Sequence, residues 1–120
     1  MILIVDDNEP LRNLLVMFLR EYHYTALAAA NAEEALQIAA QYNTEIDLLL
    51  TDVRMPTMNG KELANHLRQT HPKLKVVYMS GYSQAVIAQE YLLEANSEFI
   101  QKPFTPQALA EQISKALDDQ

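Results

Sequence analysis

Short apolar runs alternate with amphipathic segments along the whole chain. Four of these runs end in a side chain that carries an acid, a hydroxyl or an amine: residues 2–5 before Asp6 and Asp7, residues 48–51 before Asp52, residues 76–79 before Ser80, and residues 99–101 before Lys102. Apolar runs of this length are typical of buried strands in a parallel sheet. Residues 24–28 form a fifth run, so we predict five strands.

The segments between the runs have apolar residues at helical spacing. In the first segment these residues recur at i, i+3, i+4, i+7, i+8 and i+11, and they are Leu11, Leu14, Leu15, Phe18, Leu19 and Tyr22. Asn8 can cap this helix and Pro10 suits its first turn, while Asn31 with Glu34 predicts a capping box for a second helix that ends near residue 41. Further helices are predicted over residues 61–69, over residues 84–94 and after Pro106.

The element order is therefore a strand followed by a helix, repeated five times. This order predicts an α/β fold, a doubly wound (βα)5 flavodoxin-like sandwich with a parallel five-stranded sheet in the order 2-1-3-4-5 and helices on both faces. A chain of 120 residues with 49% hydrophobic and 21% charged residues fits one globular domain. We predict a single domain over residues 1–120.

Charge and composition exclude several classes of function. The formal charge is −7, and the 9 Lys and Arg residues form no basic run, which argues against direct nucleic-acid binding. The absence of cysteine excludes disulfides, thiolate catalysis and cysteine-based zinc sites. No apolar stretch approaches 20 residues, so we expect a soluble, cytoplasmic protein without a membrane segment.

Ligands bind at the carboxyl ends of parallel strands, so the polar residues after the runs should meet in one site. Three carboxylates, Asp6, Asp7 and Asp52, would repel one another strongly there unless a pKa rises or a cation binds. Oxygen ligands without histidine or cysteine favour Mg²⁺. Lys102 and Ser80 could then contact a phosphoryl group, and a carboxylate could act as the nucleophile and form an acyl phosphate.

Four motifs in this order resemble those of receiver domains of two-component signalling, across essentially all 120 residues. The motifs are Val5-Asp6-Asp7, Thr51-Asp52-Val53-Arg54-Met55-Pro56 with Gly60 eight residues after the aspartate, Met79-Ser80-Gly81-Tyr82, and Phe99-Ile100-Gln101-Lys102-Pro103-Phe104. The resemblance implies that Asp52 is the phosphoacceptor. It also implies that Asp7, Asp52 and the backbone carbonyl of Arg54 bind Mg²⁺, with a metal role for Asp6 that often acts through water.

Further roles follow from the same resemblance. Ser80 and Lys102 would contact the phosphoryl group, the Lys102–Pro103 peptide bond would be cis, and Phe99 would be an aromatic switch that responds together with Ser80. The implied partners are a histidine kinase or a histidine phosphotransfer domain, together with an output domain or partner protein. The domain would catalyse only its own phosphorylation and dephosphorylation. The motifs around Ser80 and Lys102 are most similar to receivers of hybrid sensor histidine kinases.

The only two glycines are expected to serve the site. Gly60 would make a tight turn that keeps backbone out of the site, and Gly81 would leave the phosphoryl group open to water or a partner. The family's usual Gly-Ala pair before the last strand is Ala95-Asn96 here, where Asn96 could adopt a left-handed conformation. His23 stands near the point where the family usually has a glycine after the first helix.

Other interpretations remain open at this stage. Each residue taken alone could be structural: Asp6 and Asp7 as helix caps, Lys102 as a solvated loop lysine, Phe99 as plain core. The exposed edge of the first helix, with Leu11, Arg12, Leu14 and Met17, could contact a kinase or could be ordinary core and rim. His23, His66 and His71 are expected at the surface.

Three alternative functions fit the sequence less well. A haloacid-dehalogenase-like phosphatase needs a second aspartate two residues after the nucleophile, where this chain has Arg54. A P-loop nucleotide enzyme needs a glycine at the position of Met55. The third alternative is a pseudo-receiver scaffold that is never phosphorylated, and the complete acidic set argues against it.

Overall fold

The computed structural model describes residues 1–42, 46–94 and 97–118. Strands and helices alternate through these ranges. The strands are β1 (Ile2–Val5), β2 (Ala26–Ala29), β3 (Leu48–Asp52), β4 (Lys75–Ser80) and β5 (Glu98–Gln101). The helices are α1 (Glu9–Glu21), α2 (Ala32–Gln41), α3 (Gly60–Arg68), α4 (Gln84–Tyr91) and α5 (Pro106–Asp118).

All strand pairs are parallel, and the sheet order is β2-β1-β3-β4-β5, which confirms the predicted α/β fold and strand order. Alternate residues of each strand face opposite sides of the sheet. Leu3 and Leu49 pack with α2 and α3 on one side, whereas Ile4 and Leu50 pack with α1 and α5 on the other. Each face of the sheet is therefore covered by its own apolar layer, as burial of a parallel sheet requires.

Asparagine caps set the starts of three helices. Asn8 accepts a hydrogen bond from the amide of Leu11, and Asn31 accepts one from the amide of Glu34. A third cap was not predicted: Asn59 forms a full capping box with Glu62, so α3 begins at Gly60, one residue earlier than expected.

Several predicted boundaries were wrong by a few residues. Helix α4 ends at Tyr91 instead of residue 94, because Leu92 adopts a left-handed conformation with φ of 55°. Strand β2 begins at Ala26 instead of residue 24. His23 has a φ of 69°, so it adopts the left-handed conformation where the family usually has glycine. The expectation for Asn96 lies outside the described residues.

The apolar arc of α1 is narrower than its spacing predicts. Leu15 and Leu19 are fully buried, whereas Leu14 and Tyr22 are exposed by 40% and 43%. The expectation that His71 lies at the surface was wrong, because it is buried by the turn from α3 to β4, in which the His71 amide donates to the Leu67 carbonyl. No helix in the described ranges is long and apolar enough to cross a membrane.

Gly60 lies against the carboxyl end of β3. A Cβ atom at this position would be 2.4 Å from the carbonyl oxygen of Asp52 and 3.1 Å from Cγ2 of Thr51. Its φ is not positive, so the requirement for glycine is the close approach of backbone and not the turn that was expected. The contact holds the start of α3 against the strand end that carries Asp52.

We predict that Gly60→Ala lowers the free energy of unfolding by about 1–3 kcal/mol, because a methyl group cannot fit without shifting the backbone of β3. Urea denaturation of the two proteins measures this difference. Gly81→Ala is the matched control, since a Cβ there meets nothing within 4 Å. Equal losses in the two variants would show that close packing at Gly60 is not the cause.

Candidate functional site

The carboxyl ends of four strands bring the predicted polar residues to one edge of the sheet. Val5 is paired with Thr51, which places Asp6 beside Asp52. Ser80 ends β4, and the amide of Lys102 donates to the carbonyl of Ser80 at 2.8 Å. Strand register alone therefore assembles the site from distant parts of the chain.

The three aspartates form one compact acidic cluster. Asp6, Asp7 and Asp52 each offer one carboxylate oxygen, and these oxygens all lie within 4.8 Å of one another. Their exposure differs: Asp6 is fully buried, the side chain of Asp52 is 15% exposed, and Asp7 is exposed. Like charges at this separation need a counter-charge, a bound cation or a proton.

Both carboxylate oxygens of Asp6 are already engaged by this chain. Oδ1 accepts from the amide of Asn8 at 2.9 Å, and Oδ2 accepts from Nζ of Lys102 at 2.7 Å. The backbone carbonyl of Asp6 also accepts from Nη1 of Arg12 at 2.9 Å. Asp6 thus holds Lys102 in place and has little capacity left to bind a metal directly.

Lys102 lies between two carboxylates. Its Nζ is 3.4 Å from Oδ2 of Asp52, in addition to the closer contact with Asp6. Burial alone would lower the pKa of Lys102, but these carboxylates outweigh that effect and the pKa is raised. The amine therefore stays charged at neutral pH.

Asp52 is the site carboxylate with the clearest electrostatic perturbation. Burial raises its pKa from 3.8 to about 6, while Lys102 opposes the rise and the charges of Asp6 and Asp7 add to it. A divalent cation would relieve the same repulsion. The donor set fits Mg²⁺, because the carboxylate oxygens form no cage and Asp7 makes no hydrogen bond or salt bridge among the described residues.

Ser80 at the end of β4 and Phe99 on β5 lie on the same face of the sheet. Ser80 is 3% exposed, and its Oγ accepts from the amide of Tyr82 at 3.0 Å, so the hydroxyl proton remains available to an acceptor at Asp52. Phe99 is half-buried beside Tyr78 and packs with Ile87 on the face covered by α2, α3 and α4. The phenyl ring has no hydrogen-bonding group, so any switch role must act through packing.

Sequence reasoning missed the side-chain contacts of Arg54. Its guanidinium binds Glu90 of α4 at 2.6 Å and lies 4.3 Å from the centre of the Tyr82 ring. No local spacing links these residues, so only the folded structure brings them together. The peptide bond between Lys102 and Pro103 is cis, as the resemblance implies.

Comparison with known proteins agrees with this geometry. The family model of the response regulator receiver domain matches residues 2–114. The chain belongs to the response regulator receiver domain family. It is similar to the sensor kinase CckA of Brucella abortus, with 35% identity over 119 residues that cover 99% of this chain. It is also 32% identical to the receiver protein CpdR of the same organism, over 97% of this chain and 95% of that protein.

Solved structures show the same relationship. The receiver domain of the hybrid histidine kinase CckA superposes with a TM-score of 0.81 at 34% identity, covering 97% of each chain. This confirms the predicted similarity to receivers of hybrid kinases. The chain spans only 13% of the length of the Brucella CckA sensor kinase. Receiver domains generally bind Mg²⁺ at an acidic pocket, and this chain has a cluster of three aspartates.

The raised pKa of Asp52 makes stability depend on pH. The folded state binds this proton more tightly than the unfolded chain, so the stabilising contribution is complete below the unfolded pKa of 3.8 and is lost as pH rises through about 6. Asp52→Asn stays neutral at every pH. In metal-free buffer, the variant should therefore be more stable than the original chain by roughly 2 kcal/mol at pH 7.5, with little gain near pH 4.

Urea denaturation at several pH values in the presence of a chelator measures this gain. Glu33→Gln, an exposed substitution on α2, is the control and should show no such dependence. A gain for Asp52→Asn that does not change between pH 4 and 7.5 would contradict the electrostatic account.

Proposed function

We propose that this receiver accepts a phosphoryl group on Asp52, with Mg²⁺ bound beside it, from a histidine kinase or a histidine phosphotransfer protein, and changes conformation as a result. One observation carries the assignment: of the three aspartates, only Asp52 lies both at the end of a central strand and within 3.4 Å of Lys102 with an oxygen still available. Both carboxylate oxygens of Asp6 already accept hydrogen bonds, and Asp7 is exposed at the rim.

The transfer needs one nucleophile and a matched set of charges. An ionised oxygen of Asp52 would form the new P–O bond while the P–N bond of the phosphohistidine breaks, and the imidazole would leave with the electron pair. Nζ of Lys102, which lies 3.4 Å from Oδ2 of Asp52, would contact a phosphoryl oxygen there, and the hydroxyl of Ser80 would donate to another. Asp7, Asp52 and the carbonyl of Arg54 would hold Mg²⁺, which neutralises charge on the transferring group.

Two alternatives fit the structure less well. A phosphatase of the haloacid dehalogenase type needs an acid two residues after the nucleophile, but Arg54 stands there with its side chain bound to Glu90. A pseudo-receiver scaffold would not need an amine held between the carboxylates of Asp6 and Asp52, an arrangement that costs desolvation energy. We take residues 1–120 as one receiver unit that signals to an output domain or partner protein.

The first functional prediction concerns the modified residue. Incubation with a small acyl phosphate and Mg²⁺ should add a single phosphoryl group to the chain, and Asp52→Asn should remove this modification. Intact-mass measurement at early times and peptide mapping after borohydride reduction decide the position. Equal labelling of the chain and of Asp52→Asn would contradict the assignment.

The second prediction concerns the metal. Mg²⁺ should bind weakly, since a site with few carboxylates retains several waters, and Asp7→Ala should weaken binding by at least about tenfold. NMR titration of the backbone amides measures the affinity. Glu9→Ala, an exposed acid two residues further along, is the control and should bind as the original chain does. If Asp7→Ala binds Mg²⁺ with unchanged affinity, Asp7 serves the start of the helix and is not a metal ligand.

The third prediction concerns the conformational response. We propose that Ser80 turns toward the phosphoryl group and that Phe99 then repacks into the vacated space. The mimic beryllofluoride with Mg²⁺ should shift the NMR signals of both residues. Ser80→Ala should still bind the mimic but show a reduced shift at Phe99. A full response of Phe99 in Ser80→Ala would exclude this relay.

A further inference from the structure

Helix α4 is attached to the rest of the domain by few apolar contacts. Of its eight residues only Ile87 is buried, and Val86 is 47% exposed. Polar contacts add to this attachment, and one of them comes from α3. Nζ of Lys61 donates to the carbonyl of Leu92 at 2.8 Å, which stabilises the carboxyl end of the helix.

Arg54 makes the second polar attachment, and it comes from the loop that follows Asp52. Its Nη2 is 2.6 Å from Oε2 of Glu90, which lies in the last turn of α4. The same guanidinium lies over the ring of Tyr82, with 4.3 Å from Cζ to the ring centre. One side chain therefore contacts both the last turn of α4 and the segment that precedes the helix.

Tyr82 and Glu90, the two residues that Arg54 contacts, both follow Ser80 in the chain. Tyr82 is also hydrogen-bonded to Ser80. The amide of Tyr82 donates to Oγ of Ser80 at 3.0 Å. If this hydroxyl rotates toward Asp52, the Tyr82 amide loses its hydrogen-bond acceptor. The short segment 81–83 would then transmit the movement to the start of α4. The ring of Tyr82 would then move relative to Arg54, whose own position is fixed by the backbone next to Asp52.

We propose that Arg54 is a positioning residue that ties α4 to the phosphoacceptor loop in the unphosphorylated domain, and that movement of Ser80 and Tyr82 releases it from Glu90. The proposal rests on the proposed function, because the release is driven by a phosphoryl group on Asp52. It assigns to the side chain of Arg54 a task that is separate from the metal contact of its backbone carbonyl. The attachment itself exists without any phosphoryl group.

Hydrogen–deuterium exchange of the α4 amides tests both halves of the proposal. In the resting chain, Glu90→Gln should raise the exchange rates over residues 84–91 by about two- to fivefold, the range expected when an exposed ion pair is lost. Arg54→Gln should have the same effect, and the double variant should exchange no faster than either single variant. Gln89→Ala, on the same helix without a contact to Arg54, and Glu33→Gln on α2 are the controls.

Adding beryllofluoride and Mg²⁺ tests the release. In the original chain the exchange of α4 should rise toward that of Glu90→Gln, and in Glu90→Gln it should change little. A simple loss of helix stability would leave the response to the mimic equal in both proteins. Two results would overturn the proposal. One is a resting exchange rate in Glu90→Gln equal to that of the original chain, and the other is an equal response of the two proteins to the mimic.

The design separates this proposal from the proposed function. The fluorine NMR signal of bound beryllofluoride reports occupancy of Asp52 independently of α4. Failure of the mimic to bind would refute the phosphoryl-dependent release together with the proposed function, while the resting comparison would still decide whether Arg54 holds the helix. Binding of the mimic without release would refute the release alone.

Discussion

The contact between Nζ of Lys102 and the buried carboxylate of Asp6, at 2.7 Å, is the interaction on which the rest of the site depends. Asp6 is completely buried, so it requires a permanent partner, and removing a partner from a buried pair costs several kcal/mol (roughly 3–5). This requirement fixes the lysine at the end of β5, beside Asp52. The same amine lies 3.4 Å from Oδ2 of Asp52.

Backbone pairing on both sides of β3 also fixes the position of Asp52. Val5 pairs with Thr51 on one side of β3, and Met79 pairs with Asp52 on the other. Gly60 closes this arrangement, since its amide donates to the carbonyl of Val53 at 2.8 Å. Pre-organisation of this kind matters because phosphoryl transfer depends on positioning and electrostatic stabilisation more than on covalent chemistry by the protein.

The strands, and the meeting of the polar residues at their ends in one site, could be predicted from the sequence. Their signal is local, because each strand is an apolar run followed by a polar residue. The partner of Asp6 could not be predicted, because Lys102 is 96 positions away. The sequence had also suggested other targets, a metal for Asp6 and a phosphoryl group for Lys102. Asn59 was a missed signal, since its spacing to Glu62 is a readable capping box. The contacts of Arg54 and the burial of His71 depend on how loops pack, and no local pattern encodes that.

The central claim is that the aspartates at the ends of β1 and β3 form one divalent-cation site next to Lys102. A crystal structure with Mn²⁺ in place of Mg²⁺ tests it most directly, because the anomalous signal of manganese locates the ion without assumptions about its ligands. We predict a single peak about 2.1–2.2 Å from carboxylate oxygens of Asp7 and Asp52 and from the carbonyl oxygen of Arg54, with Lys102 still bound to Asp6. A peak elsewhere, or none at saturating Mn²⁺, would contradict the account.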